Sequence, residues 1–599
     1  MCSIPLWKIY LRVTYLHRLL PVIDSRLSRP CPTMPTFPRF AQLRSFILEL
    51  PLFSEMAGTV VENLSNRKLS YILLALLLAE IVFFLVGAWY APVPSSTMEY
   101  EMIKCRDSSS GKTDKWFHIR PKRCNIIEDL SSFTPSSFDL REIVFVAQMP
   151  HVRDRVQLEY SPWFQFLLGL LQVEVEYSDV FKYVDGALLE LEVRLGYRDN
   201  SDSADGWHEL VATNITRKLE CSISPEKTSN GNMYECGVLD LFEMGSNSYP
   251  FYLLNIRIPI NQTACRLNPR NPNCQIGKIA NLRVVTIHQN GGFTLVWVWL
   301  KTFLFPAIVV AIWWYWSRVD KLVRKPLLLE KAIMTLGVSM AILDFPLEWI
   351  SLIVRVPFML LLGDIRQGAF YGVLFAFWLI FAGEHLIDDT TRNNITSYRF
   401  NLFFIILASS LLLIYDVCER GFQLNNPFYS IWSSETGSLV AKASVYTASL
   451  CAILYVVFLF GKIWKVWCTI KSKRTAQLYK NCENRRLKVE AVIYRFKFLM
   501  LLTLLCAALT VSSYIIKQYG EAQIHSDDPE ESVLTHGTSA FFTGTFGMWN
   551  IYVLLLLAMY APSHKNYEGA SELVDESEGL MDDACESNAM TTFLKPATD

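Results

Sequence analysis

Residues 416–432 read D-V-C-E-R-G-F-Q-L-N-N-P-F-Y-S-I-W. An apolar run, Leu402–Ile414, feeds into this stretch, and another, Leu439–Phe460, leaves it. Two such runs predict a short loop between membrane helices, with Asp416, Glu419 and Arg420 at the bilayer edge. Charge at membrane depth costs roughly 2.5–3.5 kcal/mol per residue on insertion scales, so a clustered set needs a reason. One reason is a structural clamp tying helix ends together. The other is a binding site, and the rest of the chain bears on the choice.

With 599 residues and 51% hydrophobic content, the chain is too long for one domain and too apolar for an ordinary soluble protein. The formal net charge is −1, and basic residues fall in short loops rather than on one face, which argues against nucleic acid. Residues 1–55 are basic but lack the apolar core of a secretory signal, and Met56 opens a more natural start. They are expected to be an unstructured extension outside the fold.

Eight apolar runs are long enough to span: Leu69–Tyr90, Phe293–Trp316, Ala332–Val354, Ala369–Ile387, Leu402–Ile414 (extending toward Cys418), Leu439–Trp464, Phe496–Ile516 and Ala540–Met559. The fifth is the shortest. Lys and Arg concentrate in alternate loops, most densely from Lys462 to Lys488, so both termini are expected in the cytosol. The predicted organisation is a cytosolic segment 56–68, a helix 69–91, a luminal domain 92–296, a seven-helix bundle 297–562 and an acidic cytosolic tail 563–599.

Six cysteines fall in the luminal part: Cys105, Cys124, Cys221, Cys236, Cys265 and Cys274. An even number in an oxidising compartment implies three disulfides, and pairing of sequence neighbours is the simplest guess. Sequons at Asn214 and Asn261 share that compartment and are expected to carry glycans, whereas those at Asn63 and Asn394 are expected to stay silent. Leu189–Tyr197, L-E-L-E-V-R-L-G-Y, alternates apolar and polar residues with period two. Leu171–Tyr177, Phe251–Ile260 and Ile279–His288 behave similarly. An antiparallel β-sandwich of about seven or eight strands is expected. Pro162–Leu171 is too apolar for a surface and reads as a buried element, or else as a contact with membrane.

No phosphate loop, nucleophile elbow or HExxH motif occurs, and the luminal histidines lack metal-ligand spacing, so no catalytic residue, metal or cofactor is expected. Polar residues inside spans (Glu80, Asp344, Glu348, Glu384, His385) read as interhelix hydrogen bonding, with Asp344 and Glu348 one turn apart on one face. G-D-I-R-Q-G at Gly363 adds Asp364, Arg366 and Gln367 to a polar collar at the luminal edge. Below it lie phenylalanines and the small residues of S-A-F-F-T-G-T-F-G-M-W-N, 539–550. A polar rim over such an interior suits an acyl chain, at roughly 0.8 kcal/mol per buried CH₂. It equally suits ordinary bundle packing.

The motifs M-A-G-T-V-V-E-N-L-S at Met56, S-P-W-F-Q-F at Ser161, I-H-Q-N-G-G-F-T at Ile287, G-D-I-R-Q-G at Gly363, C-E-R-G at Cys418, N-P-F-Y-S-I-W at Asn426, G-M-W-N at Gly547 and Y-A-P-S-H-K at Tyr560 resemble the Wntless (Evenness interrupted) family. The resemblance implies a luminal β-sandwich on a seven-helix bundle like that of G-protein-coupled receptors, preceded by one extra helix. It implies a carrier of palmitoleoylated Wnt, escorting it through Golgi, endoplasmic reticulum and endosomes to the plasma membrane, with return through clathrin adaptors and retromer. Carried onto this chain, Asp364, Arg366, Gln367, Asp416, Glu419, Arg420, Phe428, Tyr429 and Trp432 would meet the Wnt hairpin. Phe370, Phe375, Phe541, Phe542 and Trp549 would line the acyl site, and membrane lipids would surround the bundle. Two stretches depart from the family. Its Y-E-G-L endocytosis signal stands here as Val489-Glu490-Ala491-Val492, leaving Glu576–Met581 as a dileucine-like substitute, and the C-terminus L-K-P-A-T-D lacks the family's basic–acidic ending. The competing classes are a seven-helix signalling receptor, whose Asp-Arg-Tyr-type motif is missing near Gly383, and a membrane acyltransferase using His385, which lies towards the wrong face.

Overall fold

The computed structural model describes residues 66–562, apart from 108–115, 118–123, 128–141, 151–157, 180–182, 261–264, 266–267, 269–270, 323–324, 385–393, 476–497, 511 and 513–530. The expected N-terminal extension, His385, Asn261, the V-E-A-V stretch and the acidic tail lie outside the described residues.

Two antiparallel sheets build the expected luminal domain. One holds β1 (Ser95–Glu101), β12 (Lys278–Gln289), β5 (Leu167–Glu176) and β10 (Leu239–Met244), in that order. The other runs β3 (Asn125–Ile127), β2 (Ile103–Arg106), β4 (Ile143–Met149), β11 (Phe251–Arg257), β6 (Leu188–Arg198) and β7 (His208–Lys218). A small ribbon, β8 (Cys221–Ser222) with β9 (Glu235–Cys236), stands apart. The inner faces share one core in which Leu171, Val173 and Val175 of the first sheet meet Leu189, Leu191, Leu254 and Ile256 of the second. This is the expected sandwich with more strands than seven or eight, because short strands such as β2 and β3 carry too few residues to show a period. β5 alternates buried and half-buried positions along its whole length, so the Pro162–Leu171 run is a turn followed by a core strand. The luminal cysteines pair as Cys105–Cys124, Cys221–Cys236 and Cys265–Cys274.

The helices are α1 (Asn66–Trp89), α2 (Gly291–Asp320), α3 (Leu328–Asp344), α4 (Glu348–Ile353), α5 (Met359–Glu384), α6 (Arg399–Gln423), α7 (Glu435–Thr475), α8 (Phe498–Thr510) and α9 (Glu531–Met559). Among the described residues, seven helical segments are long and apolar enough to cross a membrane, and α8 is a shorter apolar helix. Strand becomes spanning helix at Asn290, whose side chain accepts from the Gly292 N–H, so α2 starts at Gly291, just before the expected apolar run at Phe293.

Two expectations need correction, and one open alternative is decided. The fifth span is a full helix to Gln423, so Asp416, Glu419 and Arg420 sit on the last turns of α6 and only 424–434 is loop. Hydropathy falls where charge begins, but the backbone hydrogen bonds continue. The third span is interrupted: Phe345 adopts the extended conformation favoured before proline, and Pro346 separates Asp344 at the end of α3 from Glu348 at the start of α4. The two carboxylates therefore do not share one helical face. Finally, the small residues of α9 do not border open space. A Cβ on Gly547 would fall 2.2 Å from the Phe83 ring, and one on Gly544 would fall 2.6 Å from Phe84, because α1 packs into that groove.

Candidate functional site at the luminal end of the bundle

The sequence places one arginine, Arg420, on the last turn of an amphipathic helix, where it is buried. A buried guanidinium needs partners, and it has them on two bodies. Its Nη1 pairs with Glu243 of β10, its Nε lies 3.8 Å from Asp364 of α5, and Nη1 also donates to Gln423 Oε1 at 3.2 Å. Glu419, one residue earlier and also buried, accepts the Ile431 N–H at 2.9 Å through Oε2 and Gln423 Nε2 at 3.3 Å through Oε1. Gln423 Nε2 reaches the Tyr429 carbonyl as well, at 3.2 Å. The last turn of α6 thus fixes the loop that follows it.

That loop docks on the luminal sheet. Phe428 is 1% exposed and belongs to the luminal core, with its ring edge-on to Phe242 at 5.8 Å. Its carbonyl accepts Arg217 Nη2 at 2.9 Å, and the Pro427 carbonyl accepts the Glu243 N–H at 2.9 Å. Burial presses the Arg217 guanidinium below its ordinary value, opposed by the charges of Asp240 and Glu419. Trp432 donates to the Tyr415 hydroxyl at 3.3 Å, and Tyr429 lies against Phe422 with ring centres 5.0 Å apart.

The expected collar divides accordingly. Asp364, Glu419, Arg420, Phe428, Tyr429 and Trp432 gather around the joint, and Asp416 is half-buried one turn below Arg420. Arg366 turns elsewhere: it donates to the carbonyls of Ile342 (2.9 Å), Leu343 and Phe345 (2.8 Å), the acceptors left at the end of α3 where Pro346 stops the helix. Gln367 is half-buried beside it on α5.

The five acyl-lining candidates also divide. Phe370 and Trp549 meet edge-on at 6.0 Å, and Phe375 is linked to Trp549 through Trp378, whose ring lies 5.7 Å from Phe375 and 6.3 Å from Trp549. Phe541 instead packs on Phe84 of α1 at 5.6 Å, and Phe542 on Phe293 of α2 at 6.1 Å.

Three residues that the sequence reading missed complete the site. Glu243 sits on a strand some 180 residues before its partners, so no local signal announces it. Arg217 likewise hides among alternating strand positions. Lys301, ten residues into the apolar α2, was detectable because a lone lysine inside a span demands an acid. It pairs with Glu348 of α4, and nearby Asp344, fully buried, accepts Asn550 Nδ2 of α9 at 3.4 Å. These contacts, and Tyr398 Oη donating to Glu384 at 3.0 Å, are the interhelix hydrogen bonds expected of Asp344, Glu348 and Glu384, whereas Glu80 of α1 departs from that expectation, both of its carboxylate oxygens being buried with no hydrogen-bond partner among the described residues. No cluster of three or more metal-ligating side chains occurs among the described residues.

The family models match the same two bodies. Residues 103–289 match the description "Wntless, GOLD domain", and residues 290–564 match "Wntless-like, transmembrane domain". The division falls at Asn290, where β12 hands over to α2. The chain is 63% identical to a protein named "Protein wntless homolog" from Caenorhabditis elegans over 548 residues, covering 90% of this chain and 100% of that protein. It is 42% identical to proteins of the same name from Rattus norvegicus (516 residues; 86% and 92% covered) and Homo sapiens (517 residues; 86% and 92% covered). With both domains matched in order, and relatives this similar along nearly their whole length, this chain belongs to the Wntless family.

Proposed function

We propose that this chain is a carrier that binds lipid-acylated Wnt proteins in the secretory pathway and escorts them to the plasma membrane. The acyl chain enters the helical bundle and the polypeptide rests on the luminal domain. Both termini face the cytosol, and the route runs through endoplasmic reticulum, Golgi and endosomes, with clathrin adaptors and retromer returning the empty carrier. No chemical step is required of it, so it acts as a binding protein and not as an enzyme.

Family membership supports the Wnt connection. The observation that carries the binding mode is the joint at Arg420 and Phe428. A carrier for a lipidated protein must hold a water-soluble surface and a hydrocarbon chain at once. Here the β-sandwich and the bundle are locked by a buried ring and a shared arginine, so a grip on one body is felt by the other. The aromatic set Phe370, Trp378 and Trp549 lies in the bundle below that joint and is the favoured acyl wall.

Co-precipitation from cells tests the reading, comparing wild-type Wnt with a Wnt whose acylated serine is replaced by Ala. Retention of the acylated form alone supports it. Equal retention of both would move recognition to the luminal domain, and retention of neither would refute the carrier role.

A further inference from the structure

The fold protects its sheet edges unequally. The outer side of β10 is closed by the loop after α6, whose Pro427 carbonyl accepts the Glu243 N–H at 2.9 Å. β3 is only three residues long, and β1 carries Glu99 and Glu101, the first of them 3.3 Å from Arg283. A covering loop, short length and charge are the usual protections of an open edge. β7 has none of them along its middle. It ends the second sheet, and among the described residues its backbone pairs with β6 alone. Leu210–Thr216 reads L-V-A-T-N-I-T, without charge, Gly or Pro. Such a run on an open edge is a template for a further strand.

What the run does hold is the sequon Asn214-Ile-Thr216, and the register says where it stands. Leu189, Leu191, Val193 and Leu195 of β6 point into the core and pair with Arg217, Ile215, Thr213 and Val211. The other face of β7 therefore carries Glu209, Ala212, Asn214, Thr216 and Lys218, and all five are exposed. Leu210 is the extra residue of a bulge, which puts Glu209 on this face opposite Gly196. One end of the face is thus acidic and the other basic. Glu209 keeps Arg194 at 2.6 Å and Lys218 keeps Glu220 at 2.7 Å, without either being buried.

That charge pattern selects the strand that fits. A parallel copy of β7 would set Glu209 beside Glu209 and Lys218 beside Lys218. An antiparallel copy sets each Glu209 beside a Lys218, the favourable arrangement of cross-strand charges. In the register that does so, Ala212 faces Thr216 of the second copy, and Asn214 faces Asn214 on the two-fold axis. Facing residues of antiparallel strands have Cα atoms about 4.5–5.5 Å apart, which leaves no room for two glycans. The charges that select this register and the sequon that forbids it share one face.

We propose that a glycan on Asn214 guards this edge, and that β7 without it pairs antiparallel with β7 of a second copy of the chain. Such a guard is independent of the carrier role and needs only the luminal placement of residues 92–296.

The test uses the full chain from glycosylating cells, purified in detergent, with its protein mass read by light scattering on a sizing column. Wild type is expected to carry the glycan and run as a monomer. Asn214→Gln and Thr216→Ala abolish the sequon in different ways, and both are expected to double the mass. Asn214→Lys also lacks the glycan but sets two like charges opposite each other, and is expected to stay monomeric. Asn214→Cys, at the axis, is expected to give a disulfide-linked dimer on a non-reducing gel of cell membranes, whereas Asn200→Cys, on the exposed turn before β7, is not. Monomeric Asn214→Gln and Thr216→Ala overturn the proposal. So does an Asn214→Lys chain that dimerises as Asn214→Gln does, since glycan loss would then act through solubility and not through the edge. Dimers without the Asn214→Cys cross-link place the contact on another surface and overturn it as well. A wild-type chain that already has the doubled mass, or that carries no glycan at Asn214, removes the guard. If the glycan-free variants cannot be purified, the cross-link in membranes decides.

Discussion

Truncation of Phe428 to Ala is expected to loosen the hold of the luminal domain on the bundle without unfolding either. The ring is 1% exposed and sits in the sandwich core although its loop belongs to the membrane helices. A phenylalanine buries about 150–200 Å² of apolar surface, which at about 25 cal/mol per Å² is about 4 kcal/mol. Core Phe→Ala substitutions span about 3–5 kcal/mol, in agreement. The backbone contacts survive the change, since the Phe428 and Pro427 carbonyls still accept from Arg217 and Glu243. The loss is therefore that of the ring. Hydrogen exchange on the full chain in nanodiscs measures it directly. Amides of β10 and of 424–434 are expected to exchange some hundreds of times faster, since each 1.4 kcal/mol of opening free energy is a factor of ten. Amides of β6 and β11 in the opposite sheet are expected to change little. An acceleration of β10 below about tenfold would refute the claim that this ring anchors the joint.

Four further outcomes are expected. Lys301→Ala leaves Glu348 buried without its partner and should cost about 3–5 kcal/mol, whereas Lys301→Met with Glu348→Leu should recover most of it, as chemical denaturation in detergent would report. Arg366→Met removes three charge-assisted bonds to the end of α3 and should lower stability by about 2–4 kcal/mol, with faster amide exchange confined to 342–350. His288, buried between Tyr160 and Phe164, has its pKa lowered from 6.5 by burial, so the unfolded chain takes up a proton first. Stability should therefore decline as pH falls below about 6.5 and level off beneath the folded pKa, and His288→Phe should flatten that part of a melting-midpoint profile. Asn214 is exposed on the edge strand β7, so Asn214→Gln should remove one glycan's mass on a gel, while an unchanged band would put this segment outside the lumen.

Local periodicity carried the luminal domain. Leu189–Tyr197 was legible as a strand because one face is buried and the other wet, and it forms the centre of β6. The spans were legible because lipid demands long apolar runs. Neither signal reaches across the joint. Arg420 and Phe428 stood out in the sequence, but their partners Glu243, Phe242 and Arg217 lie on strands roughly 180–210 residues earlier, and charge alone does not say which acid answers it. The apolar content of N-P-F-Y-S-I-W was the available clue, since an exposed loop has no need of it. Pro346 likewise announced the break between α3 and α4, and a reading by mean hydropathy passed over it. The small residues of α9 were compatible with a cavity or with packing, and only the placement of Phe83 and Phe84 decides for packing there.

The two readings of the opening stretch, clamp and binding site, need not compete. A buried ion pair roughly breaks even against apolar residues of the same shape, because desolvation offsets attraction. Arg420 with Glu243 and Asp364 therefore contributes little net attachment, and the Phe428 ring supplies most of it. What the arginine adds is direction. It faces a carboxylate on the sandwich and another on the bundle, so rotation of one body against the other would strand a charge that has no water to turn to. If the chain is the carrier proposed above, orientation is what it needs at this level, since the position of the luminal surface would set where an acyl chain enters. On the carrier reading proposed above, residues that hold the fold would also set the geometry of binding, which gives a reason for charge so close to the bilayer.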